Sequence, residues 1–212
     1  MSEKHVKLVL ASASPRRLML LQQVGLVPDL LNPTDIDETP HKRETPRRLS
    51  IRLAETKAKA ALSAPQVRNL GTEVFILGAD TVVGLGRRIL PKAETREEAA
   101  ACLGLLSGRS HWVYSTVCLI APNGQKTTRC CETKVRFKRL SREDIETYLK
   151  SDEWRGKAGG YAIQGRAEAF VRHVSGSHSC VVGLPLYETV HLLQGAGYPV
   201  LHTWMSTSTT GV

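Results

Sequence analysis

Apolar and polar positions alternate in two rhythms along this chain, and the two rhythms take turns. Mostly apolar runs, Val6 to Leu10 and the core of "EVFILGADTVVGLG", predict strands, the second continuous enough to be buried on both faces. Between them come helix-spaced patterns. One starts at Pro15, with Ser14 at the N-cap, carries Leu18, Leu20, Leu21 and Val24, and stops at Gly25. "RLSIRLAETKAKAALSA" predicts a second helix, with Thr45 as its cap and Pro46 in its first turn. "TREEAAACLGLLSG" opens on a capping box of Thr95 and Glu98 and stops at Gly108. "HWVYSTVCLIAPNGQKTTRCCETKVRF" predicts a long hairpin turning at Asn123-Gly124. Then follow a capped helix in "SREDIETYLKS", the glycine-rich "GKAGGYAIQG", a strand pair around "SGS" and a helix in "LYETVHLLQG".

Strand and helix alternating around one long hairpin favour an α/β fold with a mixed twisted sheet rather than a purely parallel one. No repeat or linker divides the chain, so one domain is expected over 1–204, with the polar "STSTTGV" closing a disordered tail at 205–212. Nothing approaches the roughly 20 apolar residues that span a bilayer, and "MSEKHVK" lacks the apolar core of a secretory signal. The five cysteines, Cys102, Cys118, Cys130, Cys131 and Cys180, form neither a Cys-x-x-Cys pair nor an even framework. They read as reduced thiols of a cytoplasmic protein, with spacings unsuited to zinc.

A net charge of +9 changes the picture, because such a balance suits nucleic acid or a small polyanion alike. Aromatics make up only 5% of the residues, so platforms for base stacking are scarce. The cations are scattered apart from "HKRETPRRLSIR".

Some of these cations stand where an ordinary helix would not put them. In "ASASPRR", Arg16 and Arg17 occupy the start of a helix, whose partial positive charge prefers acidic neighbours. Phosphate would reconcile them, since hydroxyls such as Ser14, free N–H groups and guanidinium forks all match its oxygens; solvated arginines are the plain alternative. Lys57 falls beside Leu53 on the apolar side of its helix, away from the solvated Arg48, Arg52, Glu55 and Lys59. It must reach an anion or snorkel to water. Asp80 follows the run "VFILGA", where a strand ending in a carboxylate would deliver it to the sheet edge; it could equally cap a turn. Glu38 in "DIDET" and Lys92 in "ILPKAE" lie in loop-like sequence, and acidic oxygens of this kind suit magnesium or manganese.

Together these residues assemble a mixture suited to phosphoanhydride hydrolysis. Ser14, Arg16, Arg17, Lys57 and Lys92 would hold phosphates, while Glu38 and Asp80 would hold a divalent metal and the attacking water. The glycine-rich "GKAGGYAIQG" could wrap a ligand but is no Walker loop, and no Gly-x-Ser-x-Gly elbow is present. His173 and His178 have no ligand-spaced partners and read as strand histidines.

The motifs "SASPRR", "LAETKA", "GADTVV", "GKAGGYAIQG" and "GSHSCVVGLP", in that order, closely resemble the Maf family of nucleoside triphosphate pyrophosphatases over nearly the whole chain. The resemblance implies two lobes around a cleft, as in inosine triphosphate pyrophosphatases, and metal-dependent hydrolysis of a nucleotide to its monophosphate and pyrophosphate. It implies Asp80 as catalytic base, Glu38 as the acidic loop residue, and Lys57 and Lys92 as the paired lysines. Arg16, Thr81 and Gln164 match the subgroup acting on dTTP and UTP; the sister group acting on 7-methyl-GTP has glutamine after the aspartate and glutamate in place of Gln164. Two departures stand out: Lys92-Ala93 replaces the usual Lys-Pro, and "GSHSC" replaces "GSYxN", with His178 and Cys180 substituted. A nucleoside triphosphate is the expected partner, with no stable nucleic-acid complex, no membrane, and a homodimer compatible with the pattern. The rival readings are a 7-methyl-GTP pyrophosphatase, a basic nucleic-acid-binding module, and a cell-division regulator that binds nucleotides without cleaving them.

Overall fold

The computed structural model describes residues 6–207. Its elements in chain order are β1 (Lys7–Ala11), α1 (Pro15–Gln23), β2 (Leu30–Leu31), α2 (Pro46–Ser63), α3 (Pro65–Arg68), β3 (Val74–Leu85), β4 (Arg88–Leu90), β5 (Lys92–Ala93) and α4 (Arg96–Leu106). There follow β6 (Ser110–Ile120), β7 (Lys126–Phe137), α5 (Arg142–Leu149), β8 (Lys157–Ala158), a 3-10 turn (Arg166–Phe170), β9 (Val171–Ser175), α6 (His178–Val182), α7 (Leu186–Gly195) and α8 (Val200–Thr207). Ser206 and Thr207 thus close a helix; the remainder of the expected tail, like most of "MSEKHVK", lies outside the described residues. No helix among the described residues is long and apolar enough to cross a membrane.

The main sheet is mixed, as expected, with strand order β2-β1-β3-β6-β7-β9 and β4 added beside β3. β1 runs parallel to β2 and β3, whereas β3, β6, β7 and β9 are successively antiparallel. β3 is the spine, buried at every position except the half-buried Thr81 and Leu85. The pattern predicted that this strand ends near Asp80, but it runs on to Leu85 because Val82 and Val83 keep the apolar pattern and find β4 as a new neighbour. β1 sets its Lys7–Ala11 against Val74–Gly78 of β3, and β4 takes up the same edge only from Val83. Residues 79–82 therefore have β6 on one side and no strand on the other.

Helices cover both faces. α2 lies along one face and runs opposite to β3, so that its first residue, Pro46, meets Gly84 and its Ala54 and Ala58 meet Gly78. The larger core lies on the other face, where Leu8, Leu10, Leu77, Val113, Val117 and Leu119 pack with α1, α4 and α7. The caps behave as the sequence predicts at Thr45, Thr95 and Ser141, the last two as full capping boxes. Ser14 occupies its N-cap position, but its hydroxyl makes no capping bond; instead its N–H donates to Ser12 Oγ at 3.2 Å.

One expected element is different. The strand pair around "SGS" is a strand, β9, followed by helix α6, because Gly176 turns the chain (φ 127°) and Ser177 Oγ accepts the Cys180 N–H at 3.3 Å as a helix cap. His178 accordingly begins a helix and faces solvent, while His173 is an exposed residue of β9.

The fit of α2 on β3 depends on the missing side chain of Gly78. A Cβ there would stand 2.4 Å from the Ala54 carbonyl oxygen and 2.7 Å from the Ala58 nitrogen, both backbone atoms that cannot swing aside. Gly78→Ala is expected to cost about 1–3 kcal/mol through overpacking, read as a fall in Tm of several degrees. Gly104→Ala in α4, where a Cβ meets nothing within 4 Å, should hold or raise Tm. Equal melting temperatures for parent and Gly78→Ala would refute the close approach.

Candidate active site

The interval of β3 without a strand on its β1 side is where the chemistry-bearing residues gather. Side chains alternate across a strand, so Asp80 emerges on the α2 face and Thr81 on the opposite face, beside α1 and α6. β1 ends against Gly78 and feeds directly into "SASPRR", which brings Arg16 and Arg17 to the same opening. Two hollows flank the opening. One, of about 130 Å3, is lined by Ser14, Arg16, Arg17, Tyr161 and Gln164; the other, of about 570 Å3, includes Glu38, Leu49, Leu53, Asp80 and Val82. They share Thr81, Lys92 and Ala158, so they form one cleft of a size suited to a small ligand.

On the α2 face the charges alternate. Lys57, buried to 6% exposure, does not snorkel: its ammonium lies 2.6 Å from Asp80 Oδ1 and 2.6 Å from Glu38 Oε1. Lys92 binds the other oxygen of Glu38, completing an Asp80–Lys57–Glu38–Lys92 chain. Burial pushes the Glu38 carboxyl up, but the hydrogen bonds from Lys57 and then Lys92 overcome it and hold the group at about 2. Lys92 is placed by the small β5–β8 sheet, in which Lys92 pairs with Ala158 and Ala93 with Lys157. The Lys92-Ala93 departure is thus accommodated in a short strand rather than a loop. The loop bearing Glu38 is pinned by Arg52, which the helical pattern placed on the solvated side. Its guanidinium grips both Glu44 oxygens at 2.9 Å and donates to the Thr39 carbonyl at 2.9 Å.

Asp80 Oδ2 is buried and finds no hydrogen-bond partner among the described residues. An unpaired buried carboxylate oxygen is costly, and the other oxygen of the same carboxylate shares the Lys57 ammonium with Glu38. That donor set fits a hard divalent cation, which would take two carboxylates and fill its other places with water and phosphate oxygens. No group of three or more His, Cys, Asp or Glu side chains among the described residues is arranged to hold a metal alone.

On the other face Arg17 is buried and its guanidinium is engaged by three oxygens. It donates Nε–H to the Gly183 carbonyl at 2.9 Å, Nη1–H to Ser12 Oγ at 2.9 Å and Nη2–H to Thr81 Oγ1 at 3.4 Å. Burial lowers its pKa, opposed by the charges of Asp80 and then Glu38. Thr81 Oγ1 also meets Ser115 Oγ at 2.6 Å and donates to Gly183 at 3.2 Å. Arg16 points into the hollow without such a lattice, and burial together with the neighbouring Arg17 brings its pKa to about 10. Lys157, whose pKa is also lowered by burial and then by Arg16, lines the same hollow. Arg16, Arg17, Lys92 and Lys157 line this hollow and no carboxylate does, a lining whose charge suits an anion. Gln164 is exposed in that hollow's wall, on a loop made compact by Gly159 and Gly160, both at positive φ and packed on Val83 and Ala99.

All nine candidate residues, Ser14, Arg16, Arg17, Glu38, Lys57, Asp80, Thr81, Lys92 and Gln164, are therefore brought to this cleft or, for Lys57, to the carboxylates behind it. Sequence reasoning missed Lys157, although it lies inside a quoted motif. It also missed Tyr161, whose hydroxyl is held by the buried His111 at 2.8 Å. The Arg52–Glu44 fork carried a weak signal, an acid among the basic run. The substituted positions turn away: His178 is exposed, and Cys180 packs its sulfur on β7, 3.4 Å from the Cys131 carbonyl.

Glu38 gives this charge chain a pH signature. Its pKa falls from the usual 4.5 to about 2, so above pH about 4.5 its contribution to stability is whole, and as pH falls toward 2 the unfolded chain protonates first and the contribution drains away. A carboxyl carbon NMR titration should place the Glu38 midpoint far below 4.5, and Lys92→Met should raise it. A parent midpoint near 4.5 would show that the lysines do not hold it.

The chain has named relatives. The model of the family described as Maf-like protein matches residues 7–196. A dTTP/UTP pyrophosphatase of Rhodopseudomonas palustris (strain HaA2) is 59% identical, over 95% of this chain and 98% of its own length. Proteins of the same name from Mesorhizobium japonicum and Agrobacterium fabrum (strain C58) are 58% and 55% identical, covering 94% and 97% of this chain and 96% and 99% of their own. Among solved structures, a nucleoside-triphosphatase / dITP/XTP pyrophosphatase from Mycobacterium abscessus aligns with a TM-score of 0.37 and 16% identity, over 64% of this chain and 76% of that one, a likeness too slight to build on. A matched family model across the cleft and its scaffold, and relatives at this identity along nearly the full chain, settle the affiliation: the chain belongs to the Maf family.

Proposed function

We propose that the chain hydrolyses dTTP and UTP to the nucleoside monophosphate and pyrophosphate. The observation that carries the reading is the cleft itself: a buried carboxylate with one free oxygen on one face of the sheet opening, and a carboxylate-free cluster of cations on the other. The names of the relatives point to the same substrates.

In this mechanism Lys57 holds Asp80 Oδ1, which leaves Oδ2 to take the proton of the attacking water. The water oxygen bonds to the α-phosphorus, and the bond to the bridging oxygen breaks, releasing pyrophosphate. Ser14, Arg16, Lys92 and Lys157 meet the phosphate charge, and Arg17 fixes Thr81 and the Gly183 carbonyl as a rigid wall. A magnesium or manganese ion held by Glu38 and Asp80 would neutralise charge on the phosphates. Gln164 reads the base: its amide offers both a donor and an acceptor to the acceptor–donor–acceptor edge of a pyrimidine, where a glutamate would only accept. Five free cysteines fit a cytoplasmic setting.

Nucleotide incubated with magnesium or manganese should yield monophosphate and pyrophosphate in equal amounts; orthophosphate with a nucleoside diphosphate would place the cut at the other bond. Asp80→Asn is expected to lower kcat by about 10²–10⁴-fold with an unchanged circular dichroism spectrum, and Lys57→Met to impair turnover as well. Near-normal activity in either at saturating nucleotide and metal would remove its assigned role. Duplex binding that falls steeply with salt, without nucleotide turnover, would favour the nucleic-acid reading instead.

Gln164→Glu, alone or with Thr81→Gln, should cost pyrimidine nucleotides about 1–3 kcal/mol, lowering kcat/KM for UTP far more than for 7-methyl-GTP. An unchanged ratio of the two would mean that Gln164 does not read the base.

A further inference from the structure

The row of side chains that begins at Thr81 does not stop at the cleft. Thr81 is registered with Ser115 on β6, and Ser115 with Cys131 on β7, so the three share one face of the sheet. α6 lies over this row and drops Cys180 onto it: the Cys180 sulfur is 3.4 Å from the Cys131 carbonyl oxygen and 3.8 Å from that of Val113. Cys180 is fully buried, whereas Cys131 is partly open to solvent. Cys130, next along the chain, points to the other face, where its sulfur meets Ser50 Oγ at 3.8 Å. The chain has therefore placed one accessible and one enclosed thiol together, at a position where the family pattern carries asparagine.

We propose that Cys131 and Cys180 form an oxidisable dithiol site, closed to a disulfide by peroxide, and that its closure loosens the nucleotide wall. The neighbouring Cys180 thiol holds Cys131 below an ordinary thiol, against burial and the nearby Glu188, while Cys131 together with burial pushes Cys180 up. Cys131 is thus the attacking sulfur and Cys180 the resolving one. The Cys131 thiol gives up its proton and its thiolate attacks one oxygen of hydrogen peroxide; the O–O bond breaks, the hydroxide that leaves takes that proton to become water, and Cys131 becomes a sulfenic acid. The Cys180 sulfur then attacks the Cys131 sulfur. The S–S bond forms, the S–O bond breaks, and water leaves with the Cys180 proton. Two electrons pass from the dithiol to the peroxide, which ends as two molecules of water.

The consequence for the cleft follows from what α6 holds. Gly183 caps this five-residue helix, and its carbonyl accepts from both Arg17 and Thr81. A disulfide demands sulfurs about 2.05 Å apart, closer than any two unbonded sulfurs, so closure draws α6 toward β7 and disturbs the Gly183 anchor. This half of the proposal rests on the nucleotide reading above; the disulfide itself does not.

The test uses the full chain carrying Cys130→Ser, so that a peptide containing residue 131 has one cysteine. After treatment with hydrogen peroxide and alkylation of free thiols, mass spectrometry should find the Cys131 and Cys180 peptides joined and 2 Da lighter than their sum. KM for UTP should rise several-fold and return with dithiothreitol, and Cys131→Ser or Cys180→Ser should abolish the response. Absence of the linkage, or linkage of Cys131 elsewhere, would overturn the dithiol. A mapped linkage with unchanged KM would overturn its coupling to the cleft. A reduced protein that cleaves no nucleotide would instead overturn the functional reading, which the disulfide map does not depend on.

Discussion

A buried ammonium must be paired, and much of this molecule is arranged so that Lys57 is. Left alone at 6% exposure the charge would be prohibitive. It is tolerated because β3 passes close enough beneath α2 for Asp80 to reach it, and that approach exists only because Gly78, Ala54 and Ala58 keep the interface narrow. The second partner, Glu38, comes from a loop with no regular structure, and that loop is tied down by the Arg52 fork on Glu44 and Thr39. The charge chain and the backbone fit are one constraint. Widening the helix–strand contact would unpair the lysine, and unpairing the lysine would leave two carboxylates facing each other.

Much of this was legible in the residues. Lys57 on the apolar side of its helix could have snorkelled, but the strand beside it carries a carboxylate at the right height, so pairing won. The arginines at the start of α1 looked misplaced for the helix dipole. Arg17 turned out to be held by neutral oxygens from three separate segments, and it is Arg16 that faces the open hollow with Lys157. Which of two adjacent arginines points inward depends on the helix phase relative to α6, a tertiary fact that no local pattern contains.

Other features were hidden for definite physical reasons. The apolar run of β3 gives no sign that its neighbour changes from β1 to β4 midway, because a strand buried on both faces looks the same whoever its partners are. Asp80 was therefore expected at a strand's end, when it stands at an opening in the sheet. The "SGS" stretch, rich in turn formers, does not say whether a strand or a helix follows; the Ser177 cap decides it. Tyr161 and its buried partner His111 are distant in sequence and meet only when β6 and the glycine loop close on each other.

The strand through the opening also acts as a partition. Asp80 and Thr81 are consecutive residues, yet they serve opposite sides of the sheet, one in the compartment proposed for bond cleavage and the other in the compartment proposed for recognising the nucleotide. A slip of β3 by one residue would exchange them, and the continuous pairing with β6 from Ile76 to Gly84 guards against it. With the register secure, the recognition compartment can accumulate substitutions on α6 and the glycine loop while the cleavage compartment is left untouched. Families built on such a divided strand can diversify in what they bind and stay constant in what they do to it.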